Sequence, residues 1–598
     1  MAAVSLSVPR NRKEPNLPSM TPTSSERLKA HYQQLRLLDC EQLWAREVPA
    51  FDTASPAERM RLVGVVRAVG VVFSETGSAA QKQAARVWLR GLLSDPVEKV
   101  RRYAMAALPK LGAGESEENE LLALVGKATG EREQTAVART LSKIGGRATL
   151  ERGIPNGDAG IPVVSLQRVK ANVARKEGAG LLSLETPLRK LDGIGVILRC
   201  RSGLASFVRD ELETSGDLRG VFRVTHQEPE SVTLLPQKPF SLGQIYSLRC
   251  FGTLVFPLGE LAPGERTGSP FNPRALAALI ASGPARHLMH SFTKGQVRYR
   301  LNFSGRRASA PLVDQIAEEV FALDPSLLND PRQALWEVDI HETTQRIRVE
   351  LAPRLRPDPR FAYRQGDVPA ASHPPLAAAM VQLAKAGSCA QERIWDPFCG
   401  SGLELAECVL RTPDSLFFGT DLDPAAVTVT KRNIASAAAS IRRGHTPVRT
   451  RIVTCDFRQA TSHPELSDLA GLSLIISNPP LGKRVPVQDL RSMIRSLFSL
   501  AGRLLRPGGR LVFVNPLDLG EEGGLLRCAF RQKVDLGFAH LCLEQWIKKE
   551  SAGGGVSTHK RETAASHSHS HPEFKKPLRR RWGSAVPGEK RSSPRTRP

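Results

Sequence analysis

The sequence predicts a multidomain chain with four successive regimes: a helical solenoid, an α+β region, a doubly wound α/β domain and a disordered basic tail. Three observations predict it. Apolar residues recur at helical spacing from about Glu26 to Gly146. Short β-rich runs take over at Gly193. From Arg393 onward strands and helices alternate, with glycine turns or acidic residues closing the strands. The 598 residues hold several domains, at about 150 residues each. A content of 41% apolar and 24% charged residues is ordinary for folded protein.

Residues 1–25 are polar and Pro/Ser-rich, and disorder is expected there. Within 26–146 the segment LLSDPVEKVRRYAMAALPKLG (Leu92–Gly112) carries a turn at Pro96. Val100, Tyr103, Ala104, Ala107, Leu108 and Leu111 then follow along one helical face. A weaker echo comes 33 residues later, where Val137, Leu141, Ile144 and Gly145 match Ala104, Leu108, Leu111 and Gly112. The echo resembles HEAT-type repeats, whose helix pairs stack because one pair cannot bury its own face; an ordinary helical bundle is the alternative. A solenoid would offer a surface to a protein partner or to RNA. Residues 147–189, mixed and rich in Gly, Pro and Lys, read as a linker.

The runs GVILRC, GVFRVTH, SVTLLP and YSLRCFGTLVFPL, with helical SGLASFVRDELETSG after the first, predict an α+β region over 190–355. VRYRLNFS, APLVDQIAEEVFAL, ALWEVDIH and RIRVELA complete it. In VRYRLNF the apolar Val297, Tyr299, Leu301 and Phe303 alternate with Arg298 and Arg300. The two cations would share one sheet face, either against RNA or simply solvated.

Lys and Arg number 84 against 60 acids, for a net charge of +24. That balance favours a polyanionic partner, most simply nucleic acid. Residues 551–598 lack apolar periodicity and should be disordered; their eleven Lys/Arg against three Glu supply +8 of the total, leaving +16 on the body. His567, His569 and His571 in that tail could gather a metal only incidentally. The nine cysteines form no CxxC and no tight Cys/His cluster, so no metal site and no disulfide framework are expected. The compartment reads as reducing and cytoplasmic. No run of eighteen apolar residues could span a membrane, and MAAVSLSVPRNRKEP lacks the apolar core of a secretion signal.

The chemistry concentrates in 356–550. RIWDPF, SLFFGTDLD, RIVTCDF, LSLIISNPP and GRLVFVNP read as strands with helices between them, a Rossmann-type sheet that binds ligands at the strands' carboxyl ends. DPFCGSG (Asp396–Gly402) puts Gly400 and Gly402 where backbone must approach a ligand. It is neither GxGxxG nor GxxxxGK[ST], so it is not an ordinary phosphate cradle. Asp421 can accept from two ribose hydroxyls, and Asp456 can read an adenine amino group. Asn478-Pro479-Pro480-Leu481 is the specific signal. A nucleobase exocyclic amine is a poor nucleophile because its lone pair is delocalised into the ring. The Asn478 side-chain oxygen and the Pro479 carbonyl can both accept from such an amine, turning its lone pair toward an incoming methyl group. The two prolines stiffen the loop in advance.

These motifs resemble the S-adenosylmethionine-dependent amino-methyltransferases of nucleic acid, and more narrowly the THUMP-associated RNA guanine-N2 methyltransferases. DPFCGSG is similar to that family's cofactor loop and NPPLGKRV to its catalytic loop. RFAYRQGDVPAASHPPLAAAMVQLA (Arg360–Ala384), with His373, Pro374 and Pro375, resembles its entry to the helix before the first strand. RCRSGLASFVRDEL (Arg199–Leu212) is similar to the opening of its ferredoxin-like and THUMP region. The resemblance covers roughly 190–550 and implies S-adenosyl-L-methionine as cofactor and tRNA or rRNA as substrate, with tRNA favoured. It implies that Asp396, Phe398, Gly400, Ser401 and Gly402 line the methionine moiety. Asp421 would hold the ribose, Asp456 and Phe457 would frame the adenine, and Asn478 and Pro479 would orient the amine. Leu481 departs from the aromatic residue many relatives carry after NPP, which leaves base identity open. Lys483 and Arg484 are candidates for the target's phosphate. The alternatives are adenine-N6 methylation of RNA or DNA, and a non-catalytic RNA-binding scaffold.

Overall fold

Helices dominate as far as Lys176, and several of their starts are encoded locally. Asp39, Ser55 and Ser78 each cap a helix whose Gln42, Glu58 or Gln81, three residues on, reaches back to the cap backbone. The computed structural model describes residues 24–550 apart from 126, 128–129, 154–162, 177, 179, 263–270, 305–307, 344, 370, 388–390, 442–446, 481–488, 518–521 and 538–539. Helix Gly64–Thr76 buries Val65, Val66, Val69 and Phe73 at the centre of the helical part. Gly70 lets a neighbouring helix approach so closely that a Cβ there would stand 2.5 Å from that of Ala107. Arginine–acid pairs tie successive helices: Arg59 to Asp95 at 2.7 Å, Arg90 to Glu120, and Arg101 to Glu133 at 2.5 Å. Among the described residues, no helix is long and apolar enough to cross a membrane.

The stretch 147–189 departs from its reading as a linker. It holds helix Arg147–Gly153 and α1, Val163–Lys176. Leu166, Val169, Ala171 and Ala174 of α1 are buried, Leu166 and Ala174 in one cluster with Phe321 and Leu328. Arg175 pairs with Asp330 at 2.8 Å. Much of the Gly/Pro content that suggested a linker sits in 154–162, outside the described residues.

The α+β region forms one eight-stranded mixed sheet. Its strands are β1 (Val196–Arg199), β2 (Phe222–Glu228), β3 (Ser231–Pro236), β4 (Thr253–Leu261), β5 (Val297–Ser304), β6 (Leu327–Asn329), β7 (Trp336–Glu342) and β8 (Ile347–Pro353). They lie in the order β2-β3-β1-β4-β8-β7-β5-β6. Helix α2 (Ala205–Thr214) follows β1.

The two cations of β5 do not form a solvated or RNA-facing pair. Arg298 is 1% exposed. Its Nη2 donates to the carbonyls of Ala174 (2.6 Å) and Gly178 (2.8 Å) at the end of α1, and Nη1 donates to Gln333 at 2.7 Å. Arg300 stands opposite Glu337 in register, at 3.9 Å. Helix α1 covers Arg298 on the face that the alternation leaves polar. Removing the guanidinium strands the buried Ala174 carbonyl, at about 1–3 kcal/mol, and gives up the part-buried bonds to Gly178 and Gln333. Arg298→Met should therefore lower stability by about 2–4 kcal/mol, read from the denaturation midpoint, while RNA affinity stays unchanged.

The second sheet contains β9 (Arg393–Asp396), β10 (Leu416–Asp421), β11 (Arg449–Thr454), β12 (Leu472–Ser477), β13 (Leu505–Asn515), β14 (Leu526–Asp535) and β15 (His540–Lys548). Their order is β11-β10-β9-β12-β13-β15-β14, with Glu522–Gly523 at the edge beside β14. The first five run parallel, and β15 and β14 alternate antiparallel after them. Helices α3 (Pro374–Leu383), α4 (Leu403–Arg411), α5 (Pro424–Ser440) and α6 (Leu490–Leu504) accompany it. The strand order reverses between β9 and β12, which opens a crevice at their carboxyl ends. This domain and the α+β region share one continuous apolar core. Glu407 of α4 fastens them, accepting from Arg249 at 2.7 Å and from the Tyr363 hydroxyl at 2.6 Å.

Candidate active site

The crevice is a cavity of about 700 Å³, within the roughly 300–1,000 Å³ of small-molecule sites. The turn after β9 forms its floor, with Gly400 at φ +52 and Gly402 at φ +72. A Cβ on Gly402 would stand 2.7 Å from Thr430 Cγ2, so glycine is required there. The turn is pinned from α5: Thr430 Oγ1 donates to the Gly400 carbonyl and Asn433 Nδ2 to that of Ser401, each at 2.8 Å.

Asp421, ending β10, accepts from the Gly400 N–H at 2.8 Å through Oδ2 and from the Asp423 N–H at 3.0 Å through Oδ1. Asp456, after β11, accepts from the Arg458 backbone at 2.9 Å and pairs with its guanidinium at 3.3 Å. The Phe457 ring packs against Phe398 at 4.6 Å between centroids. Phe398, Gly400, Ser401, Asp421, Asp456, Phe457, Asn478, Pro479 and Pro480 all line this one cavity.

Two expected lining residues stand behind the wall instead. Asp396 is fully buried and Gly402 is covered, and neither borders the cavity. Asp396 Oδ1 accepts from Ser477 at 2.5 Å and from the Phe398 N–H at 3.0 Å, so it shapes the turn from below. Burial, with the Glu404 carboxylate nearby, pushes Asp396 well above the usual carboxylate range. Arg298 and Arg300 lie in the other sheet. Leu481, Lys483 and Arg484 fall outside the described residues, as do His567, His569 and His571.

Sequence reasoning missed the partners of Asn478. Its Nδ2 donates to Ser372 Oγ at 2.9 Å, and Ser372 in turn donates to Glu404. A hydroxyl has one proton. Because Glu404 takes it, Ser372 can only accept from Asn478, and this fixes which end of the amide is which. Asn478 Oδ1 is buried without a partner among the described residues. Burial raises the Glu404 pKa. The neighbouring His373 stands at the N-cap position of α3 without a side-chain capping bond, and it is pushed down to about 4 by burial and then by Arg201, Arg364 and Arg360, so its ring is neutral near pH 7. No spacing rule points to Ser372 or Glu404; only the adjacent His-Pro-Pro hinted at the first.

A family model, the RMKL-like methyltransferase domain, matches residues 362–519. The match encloses every described catalytic and cofactor-binding residue named from sequence. Among solved structures, TrmN from Thermus thermophilus is 18% identical, covering 59% of this chain and 99% of its own at a TM-score of 0.42. A predicted N6-adenine-specific DNA methylase from Listeria monocytogenes is 14% identical, covering 59% and 95% at 0.42. An RNA methyltransferase from Salinibacter ruber, solved with S-adenosyl-L-homocysteine, is 16% identical, covering 32% and 100% at 0.22. No curated protein matches the chain.

Proposed function

We propose that the chain methylates the exocyclic N2 amine of a guanosine in structured RNA, tRNA before rRNA, with S-adenosyl-L-methionine as methyl donor. The observation that carries this reading is that Asn478, whose Oδ1 has no hydrogen-bond partner among the described residues, lines the cavity that Gly400, Asp421 and Asp456 also line. The residues fit the cofactor. Asp421 keeps lone pairs for ribose hydroxyls, and the buried Glu404 carboxylate bordering the cavity favours a cationic ligand. When bound, the cofactor supplies an electrophilic methyl carbon. Asn478 Oδ1 and the Pro479 carbonyl accept from the amine and turn its lone pair toward that carbon. The amide is too weak a base to keep the proton, which leaves to water after transfer. A base stacked in a helix cannot reach these acceptors, so the target is unpaired or flipped.

Guanine N2 is supported over adenine N6 by the resemblance of DPFCGSG and NPPLGKRV and by the α+β region preceding them. The body's charge of +16 supports nucleic acid. The glycines, Asp421 and Asn478 speak against a non-catalytic scaffold. We read 26–146 as HEAT-like repeats open to a protein partner, supported by Arg–acid pairs recurring at separations of 36, 30 and 32 residues. The region 190–355 is read as the RNA grip and 356–550 as the catalytic domain.

Nucleoside mass spectrometry tests the reaction, using tRNA and rRNA pools from cells lacking the enzyme, incubated with the protein and labelled S-adenosyl-L-methionine. Labelled N2-methylguanosine in tRNA is the expected result. Labelled N6-methyladenosine instead would replace the guanine reading, and no label in either pool would sink it.

A further inference from the structure

We propose that Arg201 binds a backbone phosphate of the RNA beside the base being methylated. The inference rests on the nucleic-acid methyltransferase reading of the cavity and deepens it. Arg201 belongs to the α+β region, in the turn between β1 and α2, yet it lines the cavity together with Asn478. The turn is seated on the end of β14. Asp535 N–H donates to the Ser202 carbonyl at 2.9 Å, and Gln532 Nε2 donates to that of Gly203. Gly203 has φ +96, and a Cβ there would stand 2.1 Å from the Lys533 carbonyl oxygen. The position of Arg201 is therefore built by two regions at once. Its guanidinium lies against the bend after β14, where a Cβ on Gly537 would be 3.4 Å from Nη1.

The charge on Arg201 is unanswered. Among the described residues it makes no ion pair, and its buried Nε has no hydrogen-bond partner. Nearby cations are matched: Arg458 by Asp456, Arg249 by Glu407 and Arg360 by Asp358. A half-buried guanidinium without a counter-charge is costly, and its planar fork suits phosphate oxygens.

Sheet order puts the turn that carries Arg201 on the side of the crevice away from Asp421 and Asp456. Asp421 and Asp456 end β10 and β11 on one side of the crevice, Asn478 follows β12 in the middle, and β14 lies on the far side. A base reaching Asn478 from that side brings its own phosphodiester to Arg201.

The test uses the full chain and a fluorescent, unmodified tRNA transcript in anisotropy titrations at several salt concentrations. S-adenosyl-L-homocysteine binding is measured in parallel. Arg201→Ala should weaken RNA binding about tenfold or more. It should also flatten the plot of log affinity against log salt by about 0.7–0.9, the share of one phosphate. Binding of S-adenosyl-L-homocysteine should not change, which also shows the variant folded. Arg201→Lys should keep the salt slope and lose part of the affinity. RNA affinity and slope both unchanged in Arg201→Ala would overturn the assignment, as would a loss confined to S-adenosyl-L-homocysteine, which would move the contact to the cofactor's carboxylate. A wild-type chain that binds S-adenosyl-L-homocysteine but no RNA would overturn the nucleic-acid reading itself, and this role with it.

Discussion

Asn478→Ala should reduce the single-turnover rate of methyl transfer by about 10²–10³-fold, the range for losing one preorganised group aimed at developing charge. Affinity for S-adenosyl-L-homocysteine should stay within about twofold, because Asp421, Asp456 and the Gly400 turn, none of them hydrogen-bonded to Asn478, would hold the cofactor. The expected separation follows from the amide's wiring. Ser372 gives its proton to Glu404 and accepts from Asn478 Nδ2, while Oδ1, without a partner among the described residues, would accept from the substrate amine. Ser372→Ala provides the graded control. Without that acceptor the amide can turn its NH₂ toward the substrate, a donor facing a donor, so the rate should fall about tenfold with cofactor affinity intact. If Asn478→Ala lost cofactor affinity in step with rate, the amide would be a wall of the cofactor site and not the amine's acceptor.

What could be read from sequence depended on how far apart the interacting residues lie. The five parallel strands were legible because strands buried on both faces read as apolar runs, as LSLIIS does in β12, where all six residues are buried. Their closing residues mark the crevice by topology alone, so Asp421, Asp456 and Asn478 could be placed together without seeing a contact. The error at Arg298 and the error at 147–189 have one cause. Alternation in β5 says which side chains share a face, but it cannot say what covers that face. The cover is α1, hidden among Gly/Pro-rich flanks. Ser372 lies 106 residues from Asn478 and 32 from Glu404, separations at which no local pattern exists. Asp396 is expected at the methionine moiety from its motif, and the structure buries it behind the turn that borders the cavity. A motif names a residue's neighbourhood, whereas burial decides whether its carboxylate meets a ligand or the backbone.

Asp421→Ala should do the reverse of Asn478→Ala, weakening S-adenosyl-L-homocysteine binding about 100-fold by calorimetry while the rate at saturating cofactor recovers most of its value. Two losses combine. Ribose hydroxyls would give up hydrogen bonds to a charged acceptor, each worth about 1.5–3 kcal/mol. The Gly400 and Asp423 N–H groups would also lose the oxygens that hold the turn at 2.8 and 3.0 Å. Asp421→Asn should be nearly as damaging despite its matching shape. Each carboxylate oxygen already accepts from a backbone N–H, so whichever one becomes NH₂ sets a donor against a donor. Gly400, at φ +52 with only distant atoms around its Cβ position, would then be free to drift from the geometry its N–H now enforces. An unchanged dissociation constant in both variants would remove Asp421 from the ribose site. Poor rescue by Asn alongside the loss in Ala would show that the acceptor count of this one side chain, rather than its volume, sets cofactor affinity.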